Sequence, residues 1–178
     1  MITKYLLDNG HRSIAGIFKA DDIQGQNRHR GYVQALQEAS MLYDPDKAIW
    51  FHTEDRKVHP REGILRLLAK GISLDAVVCY NDQIAMQIIP ALASRGIRVP
   101  EDISVTGYDN SCVAMGDGFH LTTIVHPQEK LGEMAAQLLL SLLRGETLQP
   151  EQSKILIQPE LVVGNSCCGI FTSKYTTC

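Results

Sequence analysis

Short apolar segments alternate with longer amphipathic segments along the chain, and this alternation limits the possible folds more than any other feature. The apolar segments have the length of β-strands and lie at 13–18, 48–51, 76–80, 103–106 and 121–125. Segments with helical spacing or helix-end signals lie at 2–9, about 28–41, 60–70, 82–95 and from Pro127 onward. Strands that are apolar on both faces and separated by helices are typical of a parallel sheet covered on both sides. The sequence therefore predicts an α/β fold with three layers, a parallel sheet with helices on both faces.

The composition argues against two classes of protein. The chain has 178 residues, of which 44% are hydrophobic and 21% charged, and these are ordinary values for a globular protein. No apolar run approaches the roughly 20 residues that a membrane span needs, and no secretory leader is recognisable. The 17 basic residues are outnumbered by 20 acidic ones, which is a poor balance for coating a phosphate backbone. We therefore expect neither a membrane partner nor a stand-alone nucleic-acid binder.

The cysteines and histidines give no metal or redox motif. The chain has 5 cysteines, none of them in a C-x2-C pair, which is typical of reduced thiols in the cytoplasm. His52 and His59 enclose Glu54 and Asp55, but this spacing is irregular for a metal site. His11 and His29 flank predicted helix ends and are expected to be solvated. No cofactor and no metal are predicted.

Polar residues follow each predicted strand, at the edge where parallel strands place their carboxyl ends. Ligands of open parallel sheets bind at this edge. Carboxylates, amides and a guanidinium suit a polyhydroxylated ligand, because each sugar hydroxyl both donates and accepts hydrogen bonds. The candidates are Lys19, Asp22, Gln24 and Arg28 (at the expected start of the next helix) after the first strand, Glu54 after the second, Asn81 after the third, Asp109 after the fourth and His126 after the fifth.

Several of these residues also have simpler interpretations. Asp82 is a natural N-cap for the helix that follows the third strand, and Asn81 could hold a turn. Asp22 could be a solvated loop charge. The sequence contains none of the common phosphate-binding, nucleophile-elbow or metalloprotease motifs, so no enzyme is expected. A pair of carboxylates such as Glu54 and Asp109 could in principle hydrolyse a glycoside, and that alternative stays open.

Several segments of the chain match a known family in their order and spacing. They are 10–15, 28–36, 78–85, 99–110 and 121–124. With them the chain resembles the sugar-sensing core of lactose/galactose-repressor-type transcription regulators, which share their fold with periplasmic sugar-binding proteins. Segments 18–26 and 50–55 are most similar to the arabinose-responsive members of this family. The resemblance implies an effector held by Arg28, Asn81 and Asp109, with Asp109 paired to Arg28. It also implies pocket-lining positions at Asp22, Gln24, Glu54 and His126, although the family often has Gln at the position of His126.

The core of that family has two lobes, and the resemblance implies that this sequence starts in the second. Residues 1–125 would form the C-terminal lobe of a type I periplasmic-binding-protein-like fold, 126–150 would cross over and add a helix to the N-terminal lobe, 151–163 would return, and 164–178 would be an irregular tail. Most of the N-terminal lobe and a DNA-binding domain would then lie outside this sequence. The apolar stripe from Leu131 to Leu142 would lack the surface that covers it in the family.

The resemblance implies a function for the protein to which this core belongs. A sugar effector, with L-arabinose as the first candidate, would favour a closed arrangement of the lobes and so release operator DNA. The DNA would be held only through the DNA-binding domain outside this sequence. A homodimer in the cytoplasm is expected. The alternatives are a periplasmic sugar-binding transport receptor and, with less support, a carbohydrate-active enzyme.

Overall fold

The computed structural model describes residues 1–111, 118–146 and 155–170. In chain order the helices and strands in these ranges are α1 (Ile2–Asp8), β1 (Ile14–Lys19), α2 (Ile23–Glu38), β2 (Ala48–Phe51), α3 (His59–Ala69), β3 (Ala76–Cys79), α4 (Asp82–Ala93), β4 (Ser104–Thr106), β5 (Thr123–Val125), α5 (Gln128–Leu143) and β6 (Glu160–Val162). Helices and strands alternate from α1 to β4, as the sequence predicts, and in the described residues β5 then follows β4 without a helix between them. A short 3-10 helix, Pro45–Lys47, leads into β2.

Four strands form a parallel sheet in the order β2-β1-β3-β4. β5 continues this sheet beside β4, because parallel bridges join Thr106 to Thr122 and Asp109 to Val125. β6 pairs with β5 in the antiparallel direction. The carboxyl ends of β1 to β4 therefore meet at one edge, and the polar residues that follow them are brought together there.

Helices cover both faces of the sheet, which confirms the predicted three-layer α/β fold. Successive residues of a strand point to opposite faces, so neighbouring side chains enter different cores. On one face Ile17 and Val77 pack with Ile64 of α3 and Ile88 of α4. On the other face Phe18 and Val78 pack with Leu6 of α1 and Tyr32 of α2. Burial of each large side chain contributes about 1.5–3 kcal/mol to folding.

Helix α2 begins earlier than the sequence pattern indicates. The predicted start at about Arg28 is wrong, because Asp22 is the N-cap and its Oδ1 accepts a hydrogen bond from the Gly25 N–H at 2.6 Å. The polar first turn carries no apolar periodicity that could reveal it, although Asp is a favoured N-cap residue. Arg28 therefore lies in the second turn of α2 and not at its start.

The expected cap of α4 is displaced by one residue. Asn81, and not Asp82, is the N-cap, and its Oδ1 accepts from the Ile84 N–H at 3.1 Å. Asp82 is the first residue of the helix and is fully buried. The interpretation of Asp82 as the helix cap is therefore wrong, because the capping bond comes from Asn81.

Residues 164–170 contain no helix or strand, but they are firmly attached to the sheet beside β4. The Val105 N–H donates to the Ser166 carbonyl at 2.9 Å, and the Cys168 N–H donates to Ser104 Oγ at 3.2 Å. The side chain of Ser166 is fully buried. Residues 171–178, the rest of the predicted irregular tail, lie outside the described residues, as do 147–154 at the predicted crossover and return.

Replacing Ser166 with alanine is expected to weaken this attachment. The Ser166 hydroxyl donates to the Val105 carbonyl at 2.6 Å and accepts from the Thr122 N–H at 2.8 Å. The variant leaves both main-chain groups buried without this partner, so we expect the free energy of unfolding to fall by about 1–3 kcal/mol. Urea unfolding measures the loss, and wild-type stability in Ser166→Ala would contradict it.

A buried polar contact joins the start of β1 to the start of β3. Asp75 Oδ2 accepts from the Arg12 and Ser13 N–H groups at 2.7 and 2.8 Å, and His11 Nδ1 lies 3.4 Å from Asp75 Oδ1. His11 is 2% exposed, so the expectation that it is solvated is wrong. Burial raises the pKa of Asp75, but the contact with His11 and the bonds from the Arg12 and Ser13 N–H groups outweigh it and lower the pKa below its usual value.

Asp75 should therefore make stability depend on acid pH. Its folded-state pKa is depressed, so the stabilisation is complete above the unfolded-state pKa of about 3.9 and is lost as pH falls through the folded-state value. We expect Asp75→Asn to be less stable than wild type at pH 7, with the difference shrinking below about pH 4. Urea unfolding from pH 7 to pH 3 measures both curves. A difference that stays constant over this range would contradict the prediction.

Helix α5 is exposed along its length. None of its residues is buried, and Leu131, Leu139, Leu140 and Leu142 are each about half exposed. No helix in the described ranges is long and apolar enough to cross a membrane. The assignment of 126–150 to a second lobe remains a prediction.

Candidate ligand-binding site

Arg28 lies at the centre of the polar groups that collect at the carboxyl ends of the strands. Its Nη2 lies 3.2 Å from Asp109 Oδ1, and its Nη1 donates to the Tyr80 carbonyl. The guanidinium also packs over two aromatic rings, with Cζ 4.5 Å from the centroid of Tyr80 and 3.8 Å from that of Tyr108. Arg28 and Asp109 thus form the pair that the family resemblance implied, and two tyrosines fix its orientation.

The phenol of Tyr80 connects this pair to residues at the end of β1. Tyr80 Oη donates to Asp22 Oδ2 at 2.7 Å and lies 3.5 Å from Gln24 Oε1. Lys19 Nζ lies 3.2 Å from the same oxygen of Asp22. The contacts run from Lys19 through Asp22 and Tyr80 to Arg28. We call these four residues, together with Gln24, Asp109 and Tyr108, the strand-end cluster.

Hydrogen bonding fixes the charge states within this cluster. Burial raises the pKa of Asp22, but bonds from the Gly25 N–H, the Tyr80 hydroxyl and Lys19 together bring the pKa below its usual value. Burial, and then the bond to Asp22, raises the pKa of Tyr80 to about 12. At neutral pH Asp22 is therefore an anionic acceptor and Tyr80 a neutral donor. Such charge-assisted bonds are roughly twice as strong as neutral ones.

Asn81 lies beside the cluster, and its side-chain amide has an acceptor, Oδ1, and a donor, Nδ2. The capping bond of α4 uses Oδ1. The same residue lines an open cleft of about 360 Å³ together with Lys19 and Tyr80. The capping bond does not involve the donor end of the amide, so a ligand contact by Asn81 can use Nδ2.

The two remaining candidates occupy different positions. His126 is exposed and lines a cleft with Asp109, so it is adjacent to the acidic end of the cluster. Glu54 is exposed in the loop between β2 and α3, and the structure shows it in no hydrogen bond or ion pair with the cluster residues named above. The geometry thus brings His126 near the site and leaves Glu54 outside the contact network.

Tyr80 and Tyr108 complete the site, although the candidates drawn from sequence do not include them. Each precedes a polar residue at a strand end, in Tyr80-Asn81-Asp82 and in Tyr108-Asp109-Asn110. An aromatic residue at this junction is the signal that could have identified them. Within the described ranges no group of three or more His, Cys, Asp or Glu is arranged to hold a metal ion.

Comparison with known proteins identifies relatives of the chain. Residues 3–167 match the model of the periplasmic binding protein-like domain. Proteins named arabinose metabolism transcriptional repressor from Halalkalibacterium halodurans and Geobacillus stearothermophilus are 38% and 34% identical to this chain, over 92% and 93% of its length. The alignments cover 45% and 46% of those proteins, so the chain spans about half the length of the curated relatives it matches.

Solved structures show the same fold. A sugar-binding transcriptional regulator of the LacI family from Escherichia coli, complexed with phosphate, superposes with a TM-score of 0.84 at 24% identity and covers 94% of this chain and 59% of its own. The transcriptional regulator CelR in complex with cellobiose superposes with a TM-score of 0.79 at 32% identity, over 92% of this chain and 49% of its own. The expected resemblance to lactose/galactose-repressor-type regulators is confirmed by these matches. The chain belongs to the family of periplasmic-binding-protein-like domains.

Proposed function

We propose that this chain is the effector-sensing part of a transcriptional repressor, with a sugar as effector and L-arabinose as the first candidate. The observation that carries the proposal is the Arg28–Asp109 pair at the carboxyl edge of the sheet, in which the Arg28 guanidinium packs over the rings of Tyr80 and Tyr108. Two relatives named arabinose metabolism transcriptional repressor and a regulator solved with cellobiose support a sugar as the ligand.

The chemistry of the strand-end cluster suits sugar hydroxyls. A guanidinium offers several N–H donors in a fixed plane, and the Asp109 carboxylate offers acceptors beside it. A hydroxyl placed between the two can accept from Arg28 and donate to Asp109, so neither group is left unpaired. Lys19, Gln24, Asn81 Nδ2 and His126 would contact further hydroxyls at the edges of the ring. Asp22 would orient Lys19 and Tyr80.

The sensing step would be a shift between two arrangements of the repressor. Sugar can change the affinity for operator DNA only by binding the two arrangements unequally. In this proposal residues 1–125 form one lobe, α5 belongs to the other, and the DNA-binding domain lies in the part of the relatives that this chain does not match. The protein acts as a cytoplasmic homodimer and performs no catalysis.

Titration calorimetry of the full-length repressor with L-arabinose, D-xylose, D-galactose and D-glucose tests the proposal. We expect one of these sugars to give a saturable heat, and the same sugar to weaken operator binding in a gel-shift assay. Chromogenic glycosides of the same sugars should remain uncleaved. Absence of binding by every sugar would overturn the sensing role, and turnover of a glycoside would favour an enzyme.

A further inference from the structure

The loop that carries Asp109 has an unfavourable backbone conformation. Asp109 and Asn110 have φ angles of 97° and 49°, in the left-handed region that residues other than glycine rarely adopt. Two such residues in succession are kept only where the surrounding structure holds them in place. The groups that hold this loop therefore also decide where the Asp109 carboxylate lies.

The buried carboxylate of Asp82 is one of these groups. Its Oδ2 accepts from the Ser111 N–H at 2.7 Å, and its Oδ1 accepts from the Thr123 hydroxyl at 2.6 Å. The Thr123 oxygen in turn accepts from the Asn110 N–H at 3.4 Å. The Asp82 carboxylate and the Thr123 hydroxyl, which we call the Asp82 latch, thus bind the two main-chain amides that directly follow Asp109.

The loop residues that precede Asp109 also contact Asp82. The Asp82 N–H donates to the Tyr108 carbonyl at 3.0 Å. A Cβ on Gly107 would lie 2.1 Å from Asp82 Oδ1 and 2.7 Å from Leu121 Cδ2, so only glycine fits where the loop begins. The Asp109 N–H donates to the Ile124 carbonyl at 2.9 Å, which joins the loop to β5. Asn81 caps α4, whereas the Asp82 carboxylate bonds to Ser111 of the loop and to Thr123 of β5.

We propose that Asp82 is a positioning residue for effector binding. Through the latch it sets the position of Tyr108 and Asp109, and so determines how both meet Arg28, although Asp82 itself is buried beneath the loop. The sugar-affinity part of this inference rests on the proposed function. The effect on Arg28 does not require any ligand.

Replacing Thr123 with valine tests the latch with little change of shape. The full-length repressor, labelled with nitrogen-15 in arginine, gives the exchange rate of the Arg28 guanidinium protons without sugar, and calorimetry of the same protein gives the sugar affinity. In Thr123→Val we expect faster Arg28 exchange and sugar affinity weaker by about tenfold, the effect of losing one hydrogen bond to a charged group. Thr123→Ser keeps the hydroxyl and should restore both values.

Thr106→Val is the matched control, because Thr106 is also a buried threonine but its hydroxyl donates to the Val77 carbonyl of β3 at 3.4 Å and not to Asp82. Loss of stability alone would affect both variants, whereas loss of positioning affects only Thr123→Val. If Thr123→Val does not fold, Asp82→Asn replaces the charge-assisted bonds with neutral ones of about half the strength and should shift both readouts in the same direction. Wild-type Arg28 exchange in the folded latch variant would overturn the inference. A wild-type protein that binds no sugar would instead overturn the proposed function.

Discussion

Replacing Arg28 with alanine is expected to abolish measurable sugar binding. The side chain is 18% exposed and joins Asp109, the Tyr80 carbonyl and two aromatic rings, so its removal leaves the Asp109 carboxylate without this partner. Truncating one member of a largely buried, hydrogen-bonded charge pair weakens binding by about 100-fold or more. Titration calorimetry with the sugar that wild type binds measures the loss.

Two further variants separate the shape of the Arg28 side chain from its charge and from general effects on α2. Arg28→Lys keeps the charge but loses the planar fork, and we expect it to bind sugar almost as poorly as alanine does. Arg30 lies two residues further along the same helix and is exposed, so Arg30→Ala should bind sugar like wild type. Wild-type affinity in Arg28→Ala would exclude this residue from the binding site.

The fold could be predicted from the sequence because its signals are local and repeated. The first three apolar strand segments are each followed by an amphipathic segment, and each half of this pattern needs the other to bury its apolar surface. Phe18 and Ile17 lie next to each other in β1 and enter different cores, which is the two-sided burial that unalternating apolar strands indicate. The beginnings of α2 and α4 were less predictable, because they depend on which single polar side chain makes the capping bond.

The site could be predicted only in part, because long-range contacts have no local signature. Arg28 and Asp109 are far apart in sequence, and the parallel topology together with the family resemblance indicated that they meet. Neither the topology nor the family resemblance predicted that His11 is buried or that His29 contacts aromatic rings. His29 lies in a cluster of rings, 4.7 Å from the ring of Trp50 and 5.0 Å from that of Phe18, so it is not freely solvated as the sequence suggested. The role of Asp82 depends on contacts with the loop that follows β4 and with Thr123 of β5, and sequence spacing does not show these contacts.

Replacing Gly25 with alanine is expected to cause the largest loss of stability among the substitutions considered for α2. Gly25 is buried in the first turn, and a Cβ there would lie 2.0 Å from the Lys19 carbonyl oxygen and 2.8 Å from its carbon. These are main-chain atoms of β1 in the centre of the sheet, so they cannot move aside as the end of a flexible side chain would. We expect the free energy of unfolding to fall by about 3 kcal/mol or more, as in severe overpacking.

Gly31→Ala in the same helix is the matched control with the opposite expected sign. A Cβ at Gly31 meets no atom within 4 Å, so the substitution adds no clash. Alanine also has less conformational freedom than glycine in the unfolded chain, so less entropy is lost when the helix forms. We expect the substitution to raise the free energy of unfolding by about 0.5–1 kcal/mol. Urea unfolding of both variants measures the two changes. Because Gly25 fixes the distance between β1 and the start of α2, Gly25→Ala should also displace Arg28 and weaken sugar binding. Equal stability in the two variants would contradict the prediction and show that the helix can move away from β1 at little cost.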